Sequence, residues 1–318
     1  MAIGLLGFQT TIASPVTLSG IGVHSGVPVS ITFHPADAEA GIVFQRVHED
    51  GSLSELRAVS SQVGNTDLCT VLGTNPAHSV ATIEHVMAAL YSLGIDNILV
   101  EVHGAEMPIM DGSSRPFIEA IEQVGIVNLG VKRRYIRVLK PVRIEAGASW
   151  SEFRPYDGTR FEVEIDFDNP LIGRQSWKGD LTAATFKDEL SRARTFGFMR
   201  DVERLWAAGF ALGSSLENSV VISDDNTVIN VEGLRYSGDE FVRHKTLDAV
   251  GDLALAGAQF IGCYRSYRGG HKMNANALKA LLSDPTAYEV VETQIPRQRV
   301  GARDLIAVNA PGFAPWSA

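Results

Sequence analysis

Phe241-Val-Arg-His-Lys-Thr-Leu-Asp-Ala-Val-Gly-Asp-Leu253 is the stretch that organises this chain. Read as a helix, it places His244, Asp248 and Asp252 four residues apart, on one face. The other positions here and just downstream, Leu247 and Ala249 through Ala258 apart from Asp252, are small or apolar. A helix this apolar is buried, and a buried carboxylate is costly unless it is paired, hydrogen-bonded or bound to a metal. Two readings stand. Either His and Asp hydrogen-bond each other inside a core helix, or they grip a cation while Asp252 orients a second group.

The totals narrow the class. With 318 residues the chain is long enough for two domains, each with its own core. A net charge of -9 argues against a nucleic-acid partner, so any anionic substrate must be met by a few local Lys or Arg residues. Cys69 and Cys263 are too few for a disulfide framework, which suits a reducing cytoplasm. Met1–Phe8 is apolar but lacks the positive region of a signal peptide. No apolar run reaches the roughly 18 residues of a membrane span, so no stable membrane insertion is expected.

Taken in order, residues 9–35 read as a strand pair around the glycine-rich turn Ser19–Gly26, with His24 either an ordinary turn residue or close to a ligand. Gly41–Phe44 and Leu68–Leu72 read as short strands. Ser79–Gly94 carries apolar residues at helical spacing, with Glu84 and His85 in its first turns and Gly94 as its cap. Asp96–His103 reads as a buried strand, Glu106–Phe117 as an ordered loop and Phe117–Val124 as a helix, with a boundary at Val127–Arg134.

The second half repeats the scheme. Strands near 135–145 and 160–168 precede the His244 helix, which stands where the His85 helix stood. The expected fold is α+β: a duplicated unit, each half a β-sheet with a helix layer. The boundaries fall at 1–128, 129–290 and a C-terminal tail, 291–318. Between strands and helix, Ser191–Gly213 contains an amphipathic helix whose Phe196, Phe198, Val202, Leu205 and Trp206 form an apolar side, either core or channel. Phe260–His271 reads as a strand ending in a glycine-hinged turn, with His271 just before the helix Asn274–Leu282.

His85, His244 and Asp248 then form a set of three ligands, which leaves a position open on zinc, as catalytic sites do. Glu84, beside His85, can take a proton from water acidified by the metal. His271, held by Asp252, is favoured as imidazolium and suits an acid. Together these describe metal-assisted hydrolysis of a carbonyl compound.

Five segments resemble one family: Thr-Ile-Glu-His (82–85), Pro-Ile-Met-Asp-Gly-Ser (108–113), Arg-Thr-Phe-Gly-Phe-Met-Arg-Asp (194–201), Val-Arg-His-Lys-Thr-Leu-Asp-Ala-Val-Gly-Asp (242–252) and Gly-Gly-His (269–271). In this order, across residues 8–285, they are similar to the UDP-3-O-acyl-N-acetylglucosamine deacetylases, zinc hydrolases that commit Gram-negative bacteria to lipid A synthesis. The resemblance implies one zinc per chain, with Fe2+ as the alternative, on His85, His244 and Asp248. It implies Glu84 as general base, His271 as a cation positioned by Asp252, Thr195 as an oxyanion donor and Lys245 as a further positive group. It also implies two domains packed helices to helices, each with an insert, the second (about 194–221) forming an acyl passage. Phe196, Val202, Ala211, Ser219 and Val23 are its implied lining, while His24, Asp166, Phe167 and Arg268 stand near the nucleotide. Where some relatives carry a basic residue before Trp150-Ser-Glu-Phe153, this chain has Ser149, so a phosphate contact there is lost or supplied elsewhere.

The expected substrate is therefore an acylated UDP-amino sugar, hydrolysed at its N-acetyl group to the amine and acetate by a cytoplasmic monomer. Two alternatives remain: a zinc amidase on another acylated substrate, and a binding protein with a structural, closed metal site.

Overall fold

One strand order is built twice. In the computed structural model, which describes residues 7–293, the first sheet runs across its width through Val16–Ile21, Pro28–Pro35, Ile98–His103, Ile42–Val47 and Leu53–Arg57. The second contains the same path in Val142–Ala146, Ser149–Arg154, Gln259–Tyr267, Thr159–Asp166 and Arg174–Asp180. In both, the middle strand is antiparallel to one neighbouring hairpin and parallel to the other. In both, a helix precedes that strand, Glu84–Leu93 or Glu240–Leu253, and another follows it, Arg115–Val124 or His271–Leu282. The duplication expected from the sequence is thus present as topology. The second sheet is wider, because Arg134–Val138 adds parallel to the start of Gln259–Tyr267 and pairs in turn with Tyr288–Glu292.

Alternation sets the buried faces. Val29, Ile31 and Phe33 point inward on Pro28–Pro35 in the first sheet, and Phe161, Val163 and Ile165 on Thr159–Asp166 in the second, at the period of two that a half-buried strand requires. These side chains and those of the two central helices share one apolar core. Between the helices the backbones touch: a Cβ added at Gly251 would lie 1.9 Å from the carbonyl oxygen of Glu84. Glycine at 251 is what lets the two helices approach so closely, and this approach brings Glu84 and His85 to His244 and Asp248.

Several sequence expectations change. The segment Phe8–Ile12 does not pair with Pro28–Pro35; it joins Ile126–Lys132 in a separate ribbon, and the hairpin partner is Val16–Ile21, part of the expected turn. The expected boundary at 127–134 therefore holds a strand, followed by buried Arg133, which binds Asp96 and the carbonyl of Gly94. Leu68–Leu72 is not a strand but irregular chain with an isolated bridge at Leu72, Leu68 having φ 69°. The helix after Thr82 runs Glu84–Leu93, with Gly94 at φ 72° as expected, yet it is buried on every side rather than amphipathic, because it lies between the two halves. Phe196 and Phe198 belong to a short strand, Phe196–Phe198, and the helix is Met199–Ala207. His271 is the first residue of its helix, not the residue before it. Residues 294–318, most of the expected tail, lie outside the described residues, as do residues 1–6.

Gly251→Ala is expected to destabilise the protein by about 1–3 kcal/mol through overpacking against the Glu84 carbonyl. Calorimetric melting checks this; an unchanged melting temperature would contradict the close approach of the helices.

Candidate active site

The first half contributes the start of its central helix, the second one whole face of its own. Glu84 and His85 open the first, while His244, Asp248 and Asp252 occupy one face of the second, and His271 opens the helix after it. All six side chains are buried. The spacing of four that singled out the second helix therefore does produce a single face, and the first helix meets that face at Glu84 and His85.

His85, His244 and Asp248 present ligand atoms that all lie within 4.8 Å of one another. Asp248 Oδ1 lies 3.4 Å from His244 Nε2 and 3.6 Å from His85 Nε2, and it is buried without a hydrogen-bond partner. Its other oxygen accepts from Lys245 Nζ at 2.9 Å. His244 Nδ1, 3.1 Å from the Ala193 carbonyl, is placed to donate there, leaving Nε2 as the lone-pair nitrogen. Burial pushes His244 down to about 3, so it is neutral. The Asp248 carboxyl, although burial opposes this, is held well below the usual carboxylate range by His244 and Lys245. Two imidazoles and one carboxylate oxygen without a hydrogen-bond partner are the donor set a divalent cation requires. The core-helix reading, in which His and Asp satisfy each other, leaves Asp248 Oδ1 unexplained.

Around this set stand Glu84, His271, Lys245 and Thr70. Burial raises Glu84 above the ordinary glutamate value, against the pull of His271 and His85, as suits a base working near neutrality. His271 Nδ1 lies 2.9 Å from Asp252 Oδ2, and its Nε2 is 3.9 Å from both Glu84 Oε1 and Asp248 Oδ2. Burial works against the imidazolium, but Asp252 and Glu84 outweigh it and push His271 up to about 9. Asp248 likewise keeps Lys245 protonated against burial. Thr70, which sequence reasoning did not single out, contacts Glu84, Asp252 and His271 together; it lies in irregular chain, where no periodicity marks a residue.

A cavity of about 350 Å³ opens from these groups into the insert of the second half. Thr195 lines it, positioned by backbone hydrogen bonds from its N–H to Gly112 and to its carbonyl from Val220. The preceding residue, Arg194, is buried and paired with buried Glu240 at the head of the central helix. All five residues expected along an apolar passage, Val23, Phe196, Val202, Ala211 and Ser219, line this cavity. Val23 and Ala211 come from different halves, clasped where Gly213 and Leu212 donate to the carbonyls of Val23 and His24. Buried Glu106 fixes the first of these loops by accepting from the N–H groups of His24 and Ser25. Met199 and Trp206 leave the cavity's rim apolar and exposed.

The nucleotide-side expectations separate. Asp166, Phe167 and Arg268 do cluster: Arg268 Nε donates to the Asp166 carbonyl, and Phe167 packs on Phe196. Arg268 lines a second groove with Ser149, Lys272 and His271. His24 lies instead in the main cavity, against Phe210. Among the seven described non-glycine residues with positive φ, Leu68, Thr82, Ala211 and Arg268 line the cavity or this groove, a concentration of strained backbone of the kind functional sites hold.

Comparison with known proteins agrees with this geometry. A family model described as UDP-3-O-acyl N-acetylglycosamine deacetylase matches residues 9–283. Curated UDP-3-O-acyl-N-acetylglucosamine deacetylases from Brucella ovis, Brucella canis and Brucella melitensis biotype 2 are each 62% identical to this chain over 285 residues. The matches cover 90% of this chain and 99% of each relative.

In metal-free protein, NMR titration is expected to show His271 losing its proton near 9, beside Asp252, Glu84, Asp248 and the more distant His24. Because Asp252 raises this value, Asp252→Asn is expected to move the titration to lower pH; an unmoved midpoint would contradict the pairing.

Proposed function

The chain belongs to the UDP-3-O-acyl N-acetylglycosamine deacetylase family, and from that premise we propose how its own residues carry the amide hydrolysis. The substrate is a UDP-linked, 3-O-acylated N-acetylglucosamine, and the products are the free amine and acetate, the deacetylase step of lipid A biosynthesis. The observation that carries the reading is Asp248 Oδ1, buried, without a hydrogen bond, and facing two imidazole Nε2 atoms beside a base and an acid.

His85, His244 and Asp248 would hold one zinc ion per chain, with ferrous iron as the alternative metal. Bound there, the cation would supply Lewis acidity that acidifies water and polarises the amide carbonyl. Glu84 accepts the proton of the attacking water. As the C–O bond forms, Thr195 and the His271 imidazolium stabilise the developing oxyanion, and Lys245 adds positive charge. Collapse breaks the C–N bond, and the amine departs with a proton returned by the Glu84–His271 pair. Asp252 keeps His271 charged and oriented throughout.

The fatty chain enters the apolar cavity past Phe196, Val202, Ala211, Ser219 and Val23, with His24 at the same cavity. The uridine diphosphate lies toward Asp166, Phe167 and Arg268, where Lys272 brings the cationic charge that Ser149 does not. The cavity favours this reading over an amidase whose substrate carries no fatty chain. The open, three-ligand set disfavours a structural metal in a binding protein.

We divide the chain at 1–128 and 129–290, with the passage insert at 194–221 and a tail after 290. Since one chain completes the site, the reading retains a monomer. The free, buried thiols of Cys69 and Cys263 suit a reducing cytoplasm. No helix among the described residues is long and apolar enough to cross a membrane.

The test is Glu84→Gln, assayed for metal and for acetate release. Metal content is expected to be unchanged and turnover to fall by about 100-fold or more; near-normal turnover would remove Glu84 from the role of base.

A further inference from the structure

Base and acid come from different halves of the molecule, and Thr70 touches both. It is only 1% exposed, in the irregular chain between Leu53–Arg57 and the helix Glu84–Leu93. Its backbone N–H donates to Glu84 Oε2 at 3.0 Å. Its hydroxyl donates to Asp252 Oδ1 at 2.5 Å, and Thr70 Oγ1 itself lies 3.2 Å from His271 Nδ1. The other oxygen of Asp252 accepts from His271 Nδ1 at 2.9 Å and from Asn274 Nδ2 at 2.7 Å. Asn274 is itself fixed, with its Oδ1 2.6 Å from the hydroxyl of buried Tyr264.

We propose that Thr70 is a positioning residue that fixes which atoms of Glu84 and His271 exchange protons. The inference rests on the roles proposed above for those two residues. With Oε2 engaged by the Thr70 N–H, Glu84 presents Oε1 as its free oxygen, and Oε1 is the one 3.9 Å from His271 Nε2. With Nδ1 of His271 engaged by Asp252 and the Thr70 oxygen, Nε2 becomes the nitrogen that faces the reacting groups. The hydroxyl hydrogen bond to Asp252 Oδ1 also prevents the carboxylate from rotating, so the imidazole plane is set by two contacts. Such outer contacts orient the groups that react without touching substrate. Thr70 thus joins the two halves of the proton path, as the touching helices join the two halves of the metal set.

The test compares Thr70→Val, which keeps shape and backbone N–H but removes the hydroxyl, with Thr70→Ser, which keeps both, in metal-loaded enzyme. Thr70→Ala serves as a second hydroxyl-free variant should Thr70→Val fold poorly. The expected result is a kcat lower by about 10- to 100-fold without the hydroxyl, at unchanged KM and metal content. Thr70→Ser is expected to recover most of that loss. Hydroxyl-free variants that turn over within about twofold of wild type, beside an inactive Glu84→Gln, would overturn this inference alone. Equal losses in Thr70→Ser and Thr70→Val, with lower melting temperatures, would make the role structural and overturn it too. Turnover retained by Glu84→Gln would overturn the underlying assignment and this inference with it.

Discussion

Six ionisable side chains, Glu84, His85, His244, Asp248, Asp252 and His271, are buried where two central helices touch. Removing that many charges from water is affordable only if each finds a partner, and most of the local structure can be read as the provision of those partners. Asp252 is saturated by Thr70, His271 and Asn274, and Glu84 receives a backbone N–H. Two atoms of these six side chains stand apart: Asp248 Oδ1, which faces two imidazoles, and His85 Nδ1, neither of which has a hydrogen bond. The carboxylate oxygen facing two imidazoles is where the proposed cation would sit.

The duplicated topology explains why this happens between halves rather than within one. Each half places a helix before its middle strand, and the two helices meet at Gly251, whose missing side chain allows contact with the Glu84 backbone. The proposed metal ligands and proton-transfer groups are therefore each shared across the join. The two inserts occupy the same topological place, between the last hairpin strand and the central helix. The first supplies Thr70, and the second supplies Thr195 and most of the apolar cavity. A pseudo-symmetric frame thus carries an asymmetric site, because the two inserts differ in what they bring.

Much of this was legible in the sequence, and for definite reasons. The spacing of His244, Asp248 and Asp252 is a local property, and Gly94 at φ 72° is a local cap. Alternation in strands such as Pro28–Pro35 fixed their buried faces. What could not be read depended on distant partners. Nothing local in Phe8–Ile12 says that it pairs with Ile126–Lys132. The apolar residues of the Glu84 helix recur at the spacing of an amphipathic helix with one buried face, yet burial by the other half surrounds it. Thr70 sits in irregular chain, and Gly251 looked like one more small residue in an apolar run. The placement of His24 in the cavity, against Phe210, likewise depends on the clasp with residues 211–213.

The most direct test of the shared-site account is to strip metal from the purified protein and titrate zinc back while following acetate release from an acylated UDP-N-acetylglucosamine. The account predicts that activity vanishes with the metal and returns in proportion to added zinc, saturating at about one equivalent per chain. Undiminished turnover after complete metal removal, or one tightly held zinc without acetate release, would contradict it.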